Sequence, residues 1–219
     1  MPESNPKPNL LIVHQDSDAL EILASIAEEL DTHPIPLTEL QAVSEHSAVG
    51  REGCAVIDHH CLRYDLRDQL NNFLNAYPQF PVVAWLAKLD MGDVIGAFRT
   101  GAVDVVQKPS ENDSLKDRIE RAIRIGKERA ELLDKNKEIE EALSKLMASE
   151  RDVLTLLLEG KTNKEISFRL ECSQRTIETR RQSILRTLRV ENAVELGKVM
   201  GRYEVLRDVS RLLMWTPGE

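Results

Sequence analysis

Arginine is concentrated near the end of the chain, in a segment that could contact nucleic acid. Residues 173–190 include five arginines and a single acidic residue. If the segment is a helix, positions i, i+3, i+4, i+7 and i+11 share one polar face, which consists of Arg175, Glu178, Thr179, Gln182 and Arg186. In the major groove, arginine pairs with guanine edges and glutamine with adenine edges. The pattern indicates a DNA-binding face, although any amphipathic helix also presents a polar face to water.

The remaining face of this segment is apolar and predicts a packed helix at residues 174–188. Ile177, Ile184 and Leu188 form its core stripe, and Ser173 is the expected N-cap. A shorter helix is predicted just before it, at residues 163–170, with Thr162 as N-cap. The short turn at 171–172 gives the pair the spacing of a helix-turn-helix.

Two further helices complete this predicted domain, which we place at residues 147–202. One spans 150–159, with Ser149 as N-cap and Gly160 as the residue that ends it. The other spans 193–202 and follows Asn192. A C-terminal extension is expected at residues 203–219.

Charge is distributed unevenly along the 219 residues. The chain has a formal net charge of −8, yet residues 146–219 carry a net charge of +2 and the remainder carries −10. A basic helix within an acidic chain indicates a local nucleic-acid footprint.

The composition limits the class of protein. With 42% hydrophobic residues the chain can form one large domain or two small ones. No run approaches the roughly 20 apolar residues of a membrane span, and the polar start differs from a signal peptide, so we expect a cytoplasmic protein that does not contact a membrane. Cys54, Cys61 and Cys172 lack metal-ligand spacing and are expected to be reduced thiols. Neither a nucleophile–base set nor a phosphate loop is evident, which argues against an enzyme.

The first half of the chain alternates short apolar runs with amphipathic segments. The runs 10–13, 54–57, 82–85 and 103–106 are typical of buried parallel strands. A fifth run, 35–37, is a weaker strand because of Pro34 and Pro36. The intervening helical stripes consist of Ala19, Ile22, Leu23, Ile26 and Leu30, and of Leu66, Leu70, Phe73, Leu74 and Tyr77. The alternation predicts an α/β domain with a doubly wound, five-stranded parallel sheet at residues 8–122.

A long helix is predicted at residues 114–146, between the two domains. Its residues repeat every seven positions as in a coiled coil, with Ile125, Leu132, Ile139 and Leu146 at d and Ala122, Arg129, Asn136 and Leu143 at a. Because a buried asparagine at an a position favours a parallel two-stranded coiled coil, we expect dimerisation through this seam. The alternative is one helix packed on its own domain, since Arg129 weakens the seam and Gly126 could be a hinge.

Residues 149–196 closely resemble the LuxR-type helix-turn-helix of the FixJ/NarL family of response regulators. The matching stretches are ERDVL, EGKTNKEIS-RL, S-RTIE-R, ILRTL-V and N-VEL. The resemblance implies that the helix at 174–188 enters the major groove. It places Glu178, Thr179 and Gln182 against bases, and Lys164, Arg175, Thr176 and Arg181 against the DNA backbone. Arg180 departs from the family, which usually has histidine there.

The α/β part resembles the receiver domain of the same regulators. The matching stretches are LLIV, AVID and GAVDVVQKP. By this resemblance Asp58 is at the phosphoacceptor position and Lys108 at that of the phosphoryl-contacting lysine, with a cis bond to Pro109. Receiver chemistry further needs Mg²⁺ on carboxylate oxygens and a Thr or Ser switch.

Several of these receiver residues are missing. The acidic pair after the first strand is replaced by His14 and Gln15, with Asp16 one position late, and Leu86 occupies the Thr/Ser switch position. Val105 occupies the switch aromatic position, and Cys61-Leu62 stands where the family usually has Met-Pro. A neutral pair cannot supply the anionic oxygens that bring Mg²⁺ beside Asp58.

No cofactor is therefore expected, and magnesium would bind only if the receiver is active after all. His14, His59 and His60 raise the question of a transition-metal site, for which ordinary loop histidines are the preferred interpretation.

The sequence thus predicts a sequence-specific DNA-binding transcription regulator of response-regulator type, with a degenerate receiver that is not switched by phosphorylation. It would bind double-stranded DNA as a homodimer that places two helices on half-sites, and a sensor kinase or another signalling protein is a further candidate partner. One alternative is a conventional phosphorylation-switched regulator, which magnesium binding would reveal. Another is a protein-interaction adaptor, which would lack salt-dependent, sequence-selective DNA binding.

Overall fold

The computed structural model describes residues 7–14, 17–45, 50, 52–58, 66–109 and 112–213. The chain divides into two compact units, Met1–Leu133 and Asp134–Glu219. No helix in these described ranges has both the length and the apolar character needed to cross a membrane.

The first unit is built on a five-stranded sheet in which all neighbouring strands run parallel. The strands are β1 (Asn9–Val13), β2 (His33–Leu37), β3 (Gly53–Asp58), β4 (Val82–Leu86) and β5 (Ala102–Gln107). Their order across the sheet is β2-β1-β3-β4-β5. The predicted α/β fold and its five strands are confirmed. β2 contains Pro34 and Pro36 and lies at an edge, where a residue without a backbone donor is tolerated.

Helices cover both faces of this sheet. They are α1 (Ser17–Glu29), α2 (Leu66–Ala76), α3 (Met91–Arg99) and α4 (Asn112–Ser144), with a 3-10 turn at Leu40–Glu45. Successive strand residues point to opposite faces. Ile57 of β3 therefore packs in the core beneath α2 and α3, whereas Val56 packs in the core beneath α1 and α4.

Helix α3 was not among the predicted helices, although Met91, Ile95 and Phe98 recur at i, i+4 and i+7. Its largest apolar side chains are on the outside, with exposed fractions of 74% for Met91, 43% for Ile95 and 50% for Phe98. Only Ala97 of this helix is buried. Asp90 starts the helix by accepting a hydrogen bond from the Asp93 N–H at 2.9 Å, which is the usual N-cap arrangement.

The long helix α4 passes Gly126 without interruption. A Cβ atom at this position would lie 2.1 Å from the Gly53 carbonyl oxygen at the start of β3. The glycine therefore lets the helix approach the backbone of the sheet closely, which accounts for its presence without a hinge. The neighbouring Arg129 donates to the Pro78 carbonyl at 3.5 Å.

The second unit is all-α over its described residues, 134–213. After the end of α4 come α5 (Ala148–Leu158), α6 (Asn163–Arg169), α7 (Gln174–Thr187) and α8 (Ala193–Leu213). The predicted set of four helices is confirmed. Their core contains the fully buried Val153 of α5, Ile166 of α6, and Ile177 and Ile184 of α7.

Two predicted helix ends in this unit are wrong. Helix α5 begins after Met147 rather than after Ser149, because the carboxylate of Glu150 accepts the Met147 N–H at 2.9 Å. Helix α8 does not end at residue 202 but continues to Leu213. Its continuation is held by Tyr203, which is buried in the core and whose hydroxyl donates to Glu140 at 3.2 Å.

Candidate nucleic-acid interface and the Asp58 cluster

Helices α6 and α7 form the predicted helix-turn-helix, and each begins with its predicted cap. The Thr162 hydroxyl accepts the Glu165 N–H, while the Glu165 carboxylate accepts the Thr162 N–H at 2.8 Å, so the two residues form a capping box. The Ser173 hydroxyl accepts the Thr176 N–H at 3.1 Å. Between the helices Glu171 has a φ of 51°. This left-handed residue turns the chain tightly and fixes how α7 packs on α6.

Helix α7 has one buried and one exposed face. Ile177 and Ile184 are fully buried and Leu188 is nearly so. The five residues of the predicted polar face are all exposed: Arg175, Glu178, Thr179, Gln182 and Arg186. The expected orientation of the helix is therefore confirmed, and a continuous polar surface is free of contacts with the core.

The residues assigned to the DNA backbone differ in exposure. Lys164 on α6 and Arg175 on α7 are exposed, whereas Thr176 and Arg181 are half-buried. The Thr176 hydroxyl lies 2.8 Å from the Ser173 hydroxyl and so belongs to the cap of α7. Thr179 donates its hydroxyl hydrogen to the Arg175 carbonyl at 3.0 Å, which ties its side chain to its own helix.

A polar bridge that the sequence analysis missed joins the two helices. Asn163, the first residue of α6, donates from Nδ2 to Glu178 Oε2 at 2.6 Å. Its Oδ1 accepts from Arg181 Nη1 at 3.4 Å. One asparagine therefore contacts both an anion and a cation of α7. Only the packing of α6 on α7 brings the three together, and nothing in their spacing along the chain could have shown it.

Arg180, where the resembling family has histidine, lies on the inner side of α7 near Glu150. The Ser183 hydroxyl, the Met147 N–H and the positive charge of Arg180 together lower the pKa of Glu150. Glu150 is only 5% exposed. These contacts tie the start of α5 to the middle of α7, and they indicate a structural use for at least part of the charge of Arg180.

A second cluster of polar residues lies at the carboxyl edge of the sheet in the first unit. Asp58, at the end of β3, is only 2% exposed and its Oδ2 lies 2.5 Å from Lys108 Nζ. The same ammonium lies 4.2 Å from the centre of the Trp85 ring, a cation–π contact. The peptide bond between Lys108 and Pro109 is cis, as expected. The cluster thus pairs one carboxylate with one ammonium group beside the ring of Trp85.

The structure describes only some of the residues that occupy the positions of the missing receiver residues. Leu86 ends β4 fully buried, and its carbonyl accepts the Lys108 N–H at 2.6 Å. His14 and Val105 are half-buried. Gln15, Asp16, His59, His60, Cys61 and Leu62 lie outside the described residues. Within the described ranges no three His, Cys, Asp or Glu side chains gather closely enough to share a metal ion.

Two of the three cysteines can be placed. Cys54 and Cys172 are free thiols; Cys54 is fully buried in β3, and this burial raises the pKa of its thiol. Cys61 lies outside the described residues.

The predicted coiled-coil seam is divided between the two cores. Ala122 is buried in the first unit, while Leu146 is buried in the second with Ile139 and Leu143 packed against it. Of the remaining seam residues, Ile125, Arg129 and Asn136 are half-buried and Leu132 is 38% exposed. The heptad therefore reflects packing within the chain at the four core positions, and a continuous seam through them would compete with both cores.

Comparison with known proteins agrees with both parts of the structure. The model of the luxR family of bacterial regulatory proteins (GerE) matches residues 144–200. The transcriptional regulatory protein FixJ of Bradyrhizobium diazoefficiens is 30% identical over 156 residues, which are 71% of this chain and 76% of FixJ. The response regulator protein TmoT of Ectopseudomonas mendocina is 22% identical over 88% of each chain. The solved structure of the response regulator StyR is 25% identical and superimposes with a TM-score of 0.73 over 90% of this chain and 100% of StyR.

Proposed function

The chain belongs to the FixJ family of response regulators, and we propose that its receiver domain does not switch it by magnesium-dependent phosphorylation. Members of this family are DNA-binding transcription regulators with a receiver domain and a luxR-type helix-turn-helix. The observation that carries the proposal is the set of residues at the carboxyl edge of the sheet, where β1 is followed by His14 and β4 ends in Leu86.

The donors that the structure describes at this edge of the sheet do not fit magnesium. Mg²⁺ binds oxygen ligands, usually one or two carboxylates together with phosphate, and imidazole suits softer metals. Here an imidazole, His14, follows β1, and the carboxylate of Asp58 lies against the ammonium of Lys108. A dication entering this site would have to displace Lys108 from Asp58 or bind beside its positive charge.

Leu86 supports the same conclusion about the response to phosphorylation. A threonine or serine at this position can donate a hydrogen bond to a phosphoryl oxygen, whereas a leucine side chain has no polar atom. Leu86 is also fully buried in the core beneath α2 and α3. Even if Asp58 were phosphorylated, this side chain could not bond to the new group, so the segment after β4 would not be drawn toward it.

The test uses the full-length protein, a small-molecule phosphodonor and Mg²⁺. We expect the affinity for the preferred DNA site to stay constant on adding them, and Asp58→Asn to have the same affinity as the parent. Asp90→Asn is the matched control, because it makes the same chemical change at an exposed N-cap where asparagine serves equally well.

A rise in DNA affinity with the phosphodonor, present in the parent and in Asp90→Asn but lost in Asp58→Asn, would restore the conventional phosphorylation switch.

For DNA recognition we propose that α7 enters the major groove, with Glu178, Thr179 and Gln182 toward bases. Their exposure and their common face support this arrangement. Lys164 and Arg175 are exposed cations suited to phosphates, and Thr176 and Arg181 would contribute from half-buried positions beside them. An adaptor without DNA affinity would show no salt-dependent, sequence-selective binding, which separates that alternative.

We further propose that the active form is a homodimer on two half-sites, with a sensor kinase or another signalling protein as an additional partner. A two-fold protein matches a palindromic operator, so dimerisation doubles the contact area per site. The seam residues that belong to neither core are Ile125, Arg129, Leu132 and Asn136.

A further inference from the structure

We propose that Asn163 is a specificity-determining residue that positions Glu178 to select a C·G base pair. The inference rests on the proposed entry of α7 into the major groove and adds to it a residue of α6 that sequence reasoning did not assign to DNA.

The geometry gives Asn163 a defined orientation. Its Nδ2 donates to Glu178 Oε2 at 2.6 Å and its Oδ1 accepts from Arg181 Nη1 at 3.4 Å. An inverted amide would place its oxygen against the carboxylate and its NH₂ against the guanidinium, so both contacts would become repulsive. The two charged neighbours therefore fix the amide, and the amide in turn holds the carboxylate.

Holding Glu178 matters because a free glutamate is poorly suited to this surface. Its long side chain has high conformational entropy, and ordering such a side chain at an interface costs free energy. The phosphates on both sides of the groove also repel its charge. Asn163 orders the carboxylate before DNA arrives, and Arg181 adds a positive charge on the far side of the same amide.

The chemistry of the carboxylate then selects the base. An ionised carboxylate only accepts hydrogen bonds, and the contact with Asn163 leaves most of its lone-pair sites available. In the major groove cytosine presents the N4 donor, whereas guanine and thymine present acceptors at the corresponding positions. Adenine has a donor at N6 but an acceptor at the adjacent N7, which repels a carboxylate. Cytosine is thus the base that a fixed Glu178 favours.

Asn163 is not needed to cap α6. The capping box of that helix is made by Thr162 and Glu165, which satisfy each other's backbone N–H groups. An alanine is well tolerated at a first helical position, so Asn163→Ala should keep the fold while removing the bridge. Thermal unfolding of the variant provides the check on folding.

The experiment selects duplexes bound by the full-length protein from a randomised pool and then measures the affinity for all four base pairs at each selected position. The parent should prefer C·G at one position, and Glu178→Ala should abolish that preference. Asn163→Ala should reduce it about tenfold at the same position, the size of one good base contact. The double variant should lose no more discrimination than Glu178→Ala alone.

Two further variants make the result specific. Asn163→Asp places a second carboxylate against Glu178 and should lower the C·G preference at least as far as Asn163→Ala. Lys164→Ala, the neighbouring exposed cation, should weaken binding to all sequences and leave the base preference unchanged.

The inference is overturned if Asn163→Ala weakens all sequences equally, or if it changes a base position other than the one that Glu178→Ala changes. An unmodified protein that binds DNA without any sequence preference would overturn the proposed function as well, so the two failures are distinguishable.

Discussion

One side chain on α7 and one on α6 are proposed to make different kinds of DNA contact, the first to a base and the second to the phosphate backbone. Gln182 is exposed in the middle of the polar face, whereas Lys164 is an exposed cation at the start of α6. We expect Gln182→Ala to relax the preference at one base position and to cost roughly 1–3 kcal/mol on the best site. Lys164→Ala should weaken all sequences alike and reduce the slope of affinity against salt by about one. Titrations at several salt concentrations measure both, and an equal loss on every sequence for both variants would contradict the role of Gln182.

Glu150 gives the second unit a predictable response to acid. Its contacts with Ser183, Met147 and Arg180 lower its pKa below the ordinary value of 4.5. The stability that it contributes is therefore complete above about pH 4.5 and is lost as the pH falls through the folded-state pKa. Glu150→Gln keeps an amide oxygen for the Met147 N–H but removes the charge, so at neutral pH it should cost less than the roughly 1 kcal/mol of a lost helix cap. It should also flatten the decline below pH 4.5.

Hydrogen exchange of the α5 amides as a function of pH measures this effect. Glu204→Gln, at an exposed position of α8, is the control and should leave the acid dependence unchanged. An unaltered decline in Glu150→Gln would show that other groups cause the loss.

At the level of elements, the close approach of α4 to the sheet at Gly126 leaves no room for a single added carbon. Alanine normally stabilises a helix by about 1 kcal/mol relative to glycine. At Gly126 the added Cβ would meet the Gly53 carbonyl oxygen, which is backbone and cannot turn aside. Gly126→Ala should therefore destabilise the first unit by about 1–3 kcal/mol, the range found for overpacking.

Gly197 of α8 provides the matched control, because a Cβ atom there meets nothing within 4 Å. Gly197→Ala should leave stability unchanged or raise it by up to about 1 kcal/mol. Denaturant unfolding of both variants gives the comparison, and a stabilising Gly126→Ala would mean that α4 can move away from β3 at little cost.

For the whole molecule, the decisive quantity is the oligomeric state. If the remaining seam residues form the dimer contact, Leu132→Asp should convert a dimer into a monomer at micromolar concentration, since it buries a charge between helices. Phe168→Asp makes the same type of change at an 88% exposed residue of α6 and should leave the dimer intact. Analytical ultracentrifugation distinguishes these outcomes, and a monomeric parent protein would contradict dimerisation through this helix.

Sequence patterns predicted those features that depend on neighbours along the chain. Apolar runs such as 54–57 and caps such as Thr162 and Ser173 are local, and the structure confirms them. The helical spacing of Met91, Ile95 and Phe98 could have predicted α3, but it would have placed the wrong face in the core, since these side chains are exposed and Ala97 is buried. A heptad cannot tell packing between chains from packing within one, so Leu143 and Leu146 were assigned to a seam although they pack in the second core.

The site itself could be predicted only to the level of residue type. The polar face of α7 follows from helical periodicity, but the bridge through Asn163 and the contact of Trp85 with Lys108 depend on the apposition of separate elements. Neither pair is close in sequence, and neither has a spacing that marks it.

The contact between Lys108 and Trp85 also allows the intrinsic fluorescence of the protein to report on this site. The chain has two tryptophans, Trp85 and Trp215, and an ammonium 4.2 Å from the Trp85 ring imposes a strong local electric field on it. The emission wavelength of indole shifts with such a field. Any event that draws Lys108 away from the ring, including the arrival of an anion at Asp58, therefore changes the emission wavelength. With Trp215 replaced by phenylalanine, the state of the Asp58–Lys108 pair can be followed in real time without a label.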